Sequence, residues 1–403
     1  MKLFQINTTS NWGSTGRIAE EIGQQVIAEG WESYIAYGRH SNDSTSKRIR
    51  IGTDWDVFYH VFQTRLFDRH GLASKASTSE LIKKIEDISP DIIHLHNIHG
   101  YYLNYPILFE YLHKIEIPVV WTLHDCWTFT GHCSHYTYIN CERWKNGCYD
   151  CPLKKTYPKS CMIDRSEKNF RDKKKWFTLA KNVTLVTVSK WLKDEVMSSF
   201  LKYYPVQIIH NGIDIEMFTP LRKKKSELGI DDRFVILGVA SVWSPHKGLE
   251  DFIKLRQMLG HDSLIVLIGV NDKQIENLPK GIVGIKRTNS IQELVQYYSI
   301  ADVFLNPTWE DNFPTTNLEA LACGTPVITY RTGGSVEAID ESTGFVVEQG
   351  DLESLIAKIN IIKRLGKVAY ESNCRERAVR LYDKKIRYSE YMQLYEGLLK
   401  DYK

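Results

Sequence analysis

The sequence predicts an α/β protein of two doubly wound, Rossmann-like domains facing a central cleft, and three observations carry that expectation. Short apolar runs such as Phe234–Ala240 and Val119–Leu123 recur between stretches of helical periodicity. This is the pattern of parallel strands covered on both faces by crossover helices. The alternation proceeds as two successive arrays along the chain, with no internal repeat visible. A length of 403 residues suits two domains of ordinary size. The expected boundaries are 1–205 for the first domain, 206–385 for the second, and 386–403 for a C-terminal helix packing back on the first. Lys202-Tyr-Tyr-Pro205 reads as the connection.

Composition narrows the class. Charged residues are 25% of the chain, apolar residues 43%, and the formal net charge is +3. These are ordinary values for a globular protein, and so small a positive excess argues against nucleic acid as a partner. No apolar run reaches the roughly 20 residues of a spanning helix. Met1–Asn7 is too short for a signal peptide and reads as a first buried strand. The expected location is the cytoplasm, at the inner face of the plasma membrane where contact with lipid is made, and that contact is peripheral.

In the first half, strand Lys2–Asn7 is followed by a polar loop containing Gly13-x-x-Gly16, then by an apolar periodicity over Arg17–Glu29. Strand, glycine loop and helix are the elements of a phosphate-cradling turn, although the spacing matches neither a P-loop nor a dinucleotide fingerprint. Residues 55–87 read as mostly helical, with an unusually aromatic stretch over Asp56–Phe67 that suits core packing or an acceptor- or membrane-facing surface. The strands over Pro90–His99 and Val119–Asp125 both end in histidine and a polar residue. His96 and His124 therefore fall at strand carboxyl ends, where parallel sheets bind ligands.

Six of the eight cysteines lie between Cys126 and Cys161. Cys133, Cys141, Cys148 and Cys151 have the look of a structural zinc set, because the two-residue gap in Cys148-Tyr-Asp-Cys151 lets both thiolates reach one ion. A redox pair and buried, unliganded thiols are the other readings. Asp164–Lys181 is a basic helix with interleaved aromatics, suited either to an anionic membrane surface or to a solvated face.

In the second half, Lys247 stands between strand Phe234–Ala240 and a helix from Leu249, placed to neutralise a diphosphate. The stretch Asn306–Ile328 carries adjacent acids Glu310 and Asp311, a helix beginning at Thr315 and Thr316, Glu319 one turn in, and a stop at Gly324-Thr325-Pro326. A helix N-terminus favours phosphate, and acids beside it can bind ribose or sugar hydroxyls.

Together, Gly13-x-x-Gly16, His124-Asp125, Asn211-Gly-Ile-Asp214, Lys247-Gly248 and Asp311-x₇-Glu319-Ala-x-Ala-x-Gly-Thr-Pro326 resemble the retaining glycosyltransferases of family 4, which have the GT-B fold. His124-Asp-Cys-Trp-x-Phe-Thr-Gly-His132 is similar to bacterial capsule, exopolysaccharide and colanic-acid transferases. The resemblance implies a nucleotide-sugar donor held by the second domain and a saccharide acceptor, carried on a lipid, held by the first. It gives Glu319 the ribose hydroxyls, Asp311 the donor-sugar hydroxyls and Lys247 the diphosphate. Backbone N–H groups near Thr316, Asn317, Gly13 and Gly16 assist Lys247, and His124 lies against the donor sugar. It also implies retention of configuration and no cofactor for catalysis, zinc being structural only. Two departures stand out: the family's first acid is a glutamate where this chain has Asp311, and Val242 replaces an arginine five residues before Lys247, with His246 the nearest substitute. A sugar-nucleotide epimerase or hydrolase using the same fold, and a non-catalytic nucleotide-sugar-binding partner, are the alternative functions.

Overall fold

A computed structural model describes residues 1–401. The chain forms two compact units, one comprising Met1–His210 and the segment from Arg387 onward, the other Asn211–Ile386.

In the first unit, strands β1 (Lys2–Asn7), β2 (Glu32–Tyr37), β3 (Lys47–Arg50), β4 (Ile92–Leu95), β5 (Val119–Leu123), β6 (Val183–Thr187) and β7 (Val206–Ile208) make one sheet. Its order is β3-β2-β1-β4-β5-β6-β7, and every pairing is parallel. The crossovers are α1 (Gly13–Ala28), α2 (Asp54–Phe67), α3 (Lys75–Ile88), α4 (Tyr105–Lys114), α5 (Ser166–Phe177) and α6 (Lys190–Met197). Every residue of β4, β5 and β6 is buried, as strands covered on both faces require. Side chains fix several helix starts: Thr53 and Asp56 form a capping box on α2, while Asn104 and Ser189 cap α4 and α6.

Three expectations change here. Helix α1 begins at Gly13 rather than Arg17, so Gly13 and Gly16 belong to the helix and not to the loop before it. The helical stretch expected over 55–87 is two helices, α2 and α3, the first ending where Asp68 takes a left-handed conformation. Strand β7, expected to open the second domain, pairs with β6, and the first unit runs to His210 instead of 205.

The second unit has β8 (Phe234–Val239), β9 (Ser263–Ile268), β10 (Ile282–Ile285), β11 (Val303–Asn306), β12 (Val327–Tyr330) and β13 (Gly344–Val347). The order is β10-β9-β8-β11-β12-β13, again all parallel. Its helices are α7 (Leu249–Met258), α8 (Asp272–Glu276), α9 (Ile291–Ile300), α10 (Thr315–Ala322), α11 (Leu352–Leu365) and α12 (Val368–Tyr382). In both sheets the strand order reverses once, between β1 and β4 and between β8 and β11. Crevices at such switch points are where open α/β sheets bind ligands.

Helix α13 (Lys384–Asp401) follows. Residues 402 and 403 of the expected 386–403 segment lie outside the described residues. Its Tyr388, Tyr391 and Tyr395 are buried among Leu3, Ile22, Trp31 and Ile92 of the first unit. Tyr391 and Tyr395 also bond through their hydroxyls to Thr122 Oγ1 (3.1 Å) and His94 Nδ1 (2.6 Å). Tyr382, grouped with these tyrosines by sequence, sits instead at the end of α12 and donates to Glu337 O (3.0 Å) in the second unit. Among the described residues no helix is long and apolar enough to cross a membrane.

Candidate active site

At the switch point of the second sheet, the segments leaving β8 and β11 are stitched together. Pro245–Lys247 forms a short 3-10 turn ending at Gly248, whose φ is +77°. A Cβ at Gly248 would lie 2.2 Å from Pro307 O, so only glycine allows this approach. The two segments then share bonds: Trp309 N–H donates to His246 O (2.8 Å), and Thr308 Oγ1 to His246 O (3.3 Å). The result is two contacts between basic and acidic side chains, side by side. Lys247 Nζ donates to Asp311 Oδ2 (2.7 Å) and Glu310 O (3.2 Å), and His246 Nδ1 lies 3.1 Å from Glu310 Oε2. The Lys247 side chain is 37% exposed and that of Asp311 21%, so the lysine is held by protein on one side and open to solvent on the other. Val242 is exposed and takes no part in this group.

Helix α10 starts beside these acids. Its N-cap is Pro314, which supplies no capping side chain, so the N–H groups of Thr315 and Thr316 leave the helix uncapped. Asn317 is less available than sequence suggested. Its N–H closes a turn onto Pro314 O (3.2 Å), and its buried amide bonds Ser335 and accepts from Asn306 Nδ2 (2.9 Å). Glu319 is buried on the second turn, where its Oε2 accepts the hydroxyl of Tyr298 at 2.8 Å. Tyr298, Ser335 and Asn306 were not singled out by sequence reasoning; they lie far along the chain, and no motif marks them.

In the first unit, the carboxyl ends of β4 and β5 carry His96, His99, His124 and Asp125, which line one small pocket. Hydrogen bonding fixes the tautomers along a chain. Gln5 Nε2 donates to Ala19 O (2.8 Å), which turns Gln5 Oε1 toward His96 Nε2 (3.0 Å). That nitrogen must therefore carry the proton, leaving His96 Nδ1 to accept from His124 Nε2 (3.2 Å). His124 is thereby the donor of the pair, through Nε2. Burial holds its pKa down at about 4, so it is a neutral imidazole at neutral pH. Burial would push Asp125 up, but His99 Nε2 at 2.7 Å outweighs this and holds it at about 2. Asp125 Oδ1 also accepts from Trp127 N–H (2.9 Å), which shapes the chain's exit from β5.

Gly13 and Gly16 play different parts at the start of α1. Gly13 takes φ +67° at an exposed position, whereas a Cβ at buried Gly16 would lie 2.6 Å from Thr9 Oγ1. Gly16 thus lets the segment after β1 close over the helix, whose first turn has no side-chain cap.

The four expected zinc ligands, Cys133, Cys141, Cys148 and Cys151, line a common pocket, although among the described residues no three metal-binding groups converge on one point. In helix α5, Phe170, Phe177 and Lys173 are buried, leaving Lys168, Arg171, Lys174 and Lys175 exposed. The helix therefore offers a basic face on which one aromatic remains, half-buried Trp176 with Lys175 Nζ 4.9 Å from its ring centroid. The exposed aromatics lie on α2, namely Trp55, Phe58, Tyr59, Phe62 and Phe67.

Two Rossmann-like units, each with polar residues gathered at its switch point, are what a glycosyltransferase of the GT-B class presents. Residues 15–217 match the profile of Glycosyltransferase Family 4, and residues 233–363 that of Glycosyl transferases group 1. The first match spans half of the chain, and the protein belongs to glycosyltransferase family 4. Over 424 aligned positions it is 25% identical to WcaC of Escherichia coli, assigned as a glycosyl transferase of colanic acid biosynthesis, with 99% of this chain and 100% of WcaC covered. It is 28% identical over 206 positions to the N,N'-diacetylbacillosaminyl-diphospho-undecaprenol alpha-1,3-N-acetylgalactosaminyltransferase of Campylobacter jejuni, covering 47% of this chain and 54% of that protein. Among solved structures, sucrose-phosphate synthase of Thermosynechococcus elongatus superposes with a TM-score of 0.74 at 18% identity, over 99% of both chains. Anabaena HepE in complex with UDP-glucose gives 0.66 at 15% identity, over 98% of this chain and 100% of that one. These two likenesses bear on the fold.

The histidine cluster makes stability depend on pH. Burial lowers His60 to about 3 and His124 to about 4, and it holds His70, His94 and His96 well below their ordinary value of 6.5. Between about pH 6.5 and 4 the unfolded chain binds protons that the folded chain refuses, so stability present above that window is lost as pH falls through it. Thermal unfolding should show a lower Tm at about pH 5 than at about pH 7, with net proton uptake on unfolding. Equal melting temperatures without uptake would contradict these assignments.

Proposed function

We propose that the protein is a retaining, metal-independent, hexosyltransferase-type enzyme that moves a sugar from a nucleotide-diphosphate sugar to a lipid-linked saccharide in surface-polysaccharide biosynthesis. The observation that carries this reading is Lys247, held 2.7 Å from Asp311 at the switch point and next to the uncapped start of α10. A diphosphate leaving group gathers negative charge as the glycosidic bond breaks. A fixed ammonium and preoriented N–H groups stabilise that charge without needing to reorganise. Lys247 takes the diphosphate with Thr316, and Asp311, released from the lysine, takes donor-sugar hydroxyls. Glu319 takes the ribose, its carboxylate oriented from behind by Tyr298. Neutral His124 lies against the donor sugar. The leaving phosphate then removes the acceptor proton on the same face, which gives retention without a protein base.

The donor class is supported by the UDP-glucose complex of the HepE fold neighbour. The acceptor class is supported by the diphospho-undecaprenol substrate in the name of the Campylobacter relative, and the pathway by WcaC. Work on a lipid-linked acceptor places the enzyme at the cytoplasmic face of the membrane. Contact with that surface falls to α2, where Trp55 is 79% and Phe58 63% exposed, with the basic face of α5 adding charge.

Two measurements test this. Lys247→Ala and Glu319→Ala should each lower sugar transfer to lipid-linked acceptor by about a hundredfold or more with the far-ultraviolet circular dichroism unchanged; wild-type rates in both would remove the site. Replacing Trp55 and Phe58 with serine should reduce co-sedimentation with anionic phospholipid vesicles at low salt. Undiminished binding would show that α2 is not the contact.

A further inference from the structure

We infer that Cys133, Cys141, Cys148 and Cys151 bind one structural zinc ion that ties down the loop between β5 and α5. The inference does not rest on the transfer reaction. From His124 to Arg165 the chain has only two three-residue 3-10 turns, Thr137–Ile139 and Arg143–Lys145. A connection of that length without regular structure requires another source of order. The loop is nevertheless well buried: Trp127, Phe129 and Trp144 are among the largest fully buried side chains.

The four cysteines are neighbours in the fold. They line one pocket together with Trp144 and Leu153, and the thiols of Cys133 and Cys151 are hydrogen-bonded to each other. Cys148 and Cys151 have the two-residue gap that lets one chain turn supply two ligands to a tetrahedral ion. The surrounding backbone is arranged for charged sulfur. Gly131 N–H donates to Cys148 Sγ at 3.0 Å, and the N–H of Leu153, two residues beyond Cys151, donates to that sulfur. Such N–H···S bonds form the supporting shell of thiolate–metal sites.

Charge also fits. Zn²⁺ with four thiolates carries two net negative charges, which favour the protonated form of Lys173, a buried side chain within electrostatic reach of Cys148 and Cys133. Lys173 is 1% exposed, anchored on the carbonyls of Trp127 (2.6 Å) and Thr130 (3.1 Å) and 3.6 Å from the Trp127 ring centroid. Among the described residues no three metal-binding side chains already meet at one point, so binding draws the sulfurs together by side-chain rotation and releases their thiol protons. A catalytic dithiol is disfavoured, because Cys148-Tyr-Asp-Cys151 lies in irregular loop and no helix follows the first cysteine to lower its pKa.

The test is elemental analysis of the full chain, purified without an affinity tag that binds metal and without chelator. About one zinc per chain is expected. It should be lost in Cys148→Ser/Cys151→Ser and retained in Cys161→Ser, whose thiol is exposed in the same segment. Growth with cobalt should give the intense thiolate-to-cobalt charge-transfer absorption of a tetrahedral thiolate site, a readout on wild-type protein that is independent of whether the double variant folds. Wild-type protein free of metal would overturn the inference, whether its thiols are all reduced or Cys133 and Cys151 are joined in a disulfide.

Discussion

The pairing of Lys247 with Asp311 depends on two backbone segments being pressed closer than any residue with a side chain would permit. The two residues are 64 apart in the chain and meet because β8 and β11 are neighbours in the sheet. Gly248 then lets the first segment rest on the carbonyl of Pro307, and the bonds from Trp309 and Thr308 to His246 O lock the contact. With the backbone settled in this way, the lysine, both acids and the start of α10 are fixed relative to one another before any ligand arrives. Preorganisation of this kind is what an electrostatic site needs, since charges that must be rearranged during the reaction stabilise the transition state less.

The first unit reaches a similar end by different means. Its polar groups are buried imidazoles that would be costly if charged, and His60, His94, His96 and His99 each bond a specific side chain, whereas His70 Nδ1 and His132 Nε2 are buried without a partner. The chain from Ala19 through Gln5 and His96 to His124 sets the direction of every hydrogen bond along it. Helix α13 holds a second bonded group beside it: Tyr395 bonds His94, Tyr391 and His94 both bond Thr122, and the His94 ring lies 4.0 Å from that of His96. The cost of burying so many imidazoles is sensitivity to acid.

Much of this was legible in the sequence, for physical reasons that also explain the gaps. Strands buried on both faces must be apolar throughout, so β4, β5, β6, β8 and β9 announce themselves. Polar residues directly after such strands, including His124 and Lys247, then fall at the ligand-binding edge. Strand β7 has no such signature, because it is three residues long and only partly buried, and its membership of the first sheet was missed. The start of α1 was missed because glycine is a poor helix former, and the packing of Gly16 against Thr9 overrides that preference. Asn317 reads as a phosphate-binding position from its place in the helix, yet its side chain is engaged with Asn306 and Ser335. The partner of Glu319, Tyr298, lies 21 residues away on α9, beyond the reach of local pattern. The aromatic stretch of α2 was legible, but whether it faced core or surface was left open, and the burial of Lys173 on α5 was hidden, because only tertiary packing decides which side of a mixed helix is covered.

The central claim is that the second unit holds a nucleotide-sugar donor through Lys247. Melting of the full chain against a panel of nucleotide-diphosphate sugars tests it directly, because a ligand that binds only the folded state raises Tm. At least one should raise the Tm of the wild-type protein and leave that of Lys247→Ala unmoved. The account would be contradicted by a panel that shifts neither protein, or by one that shifts both equally.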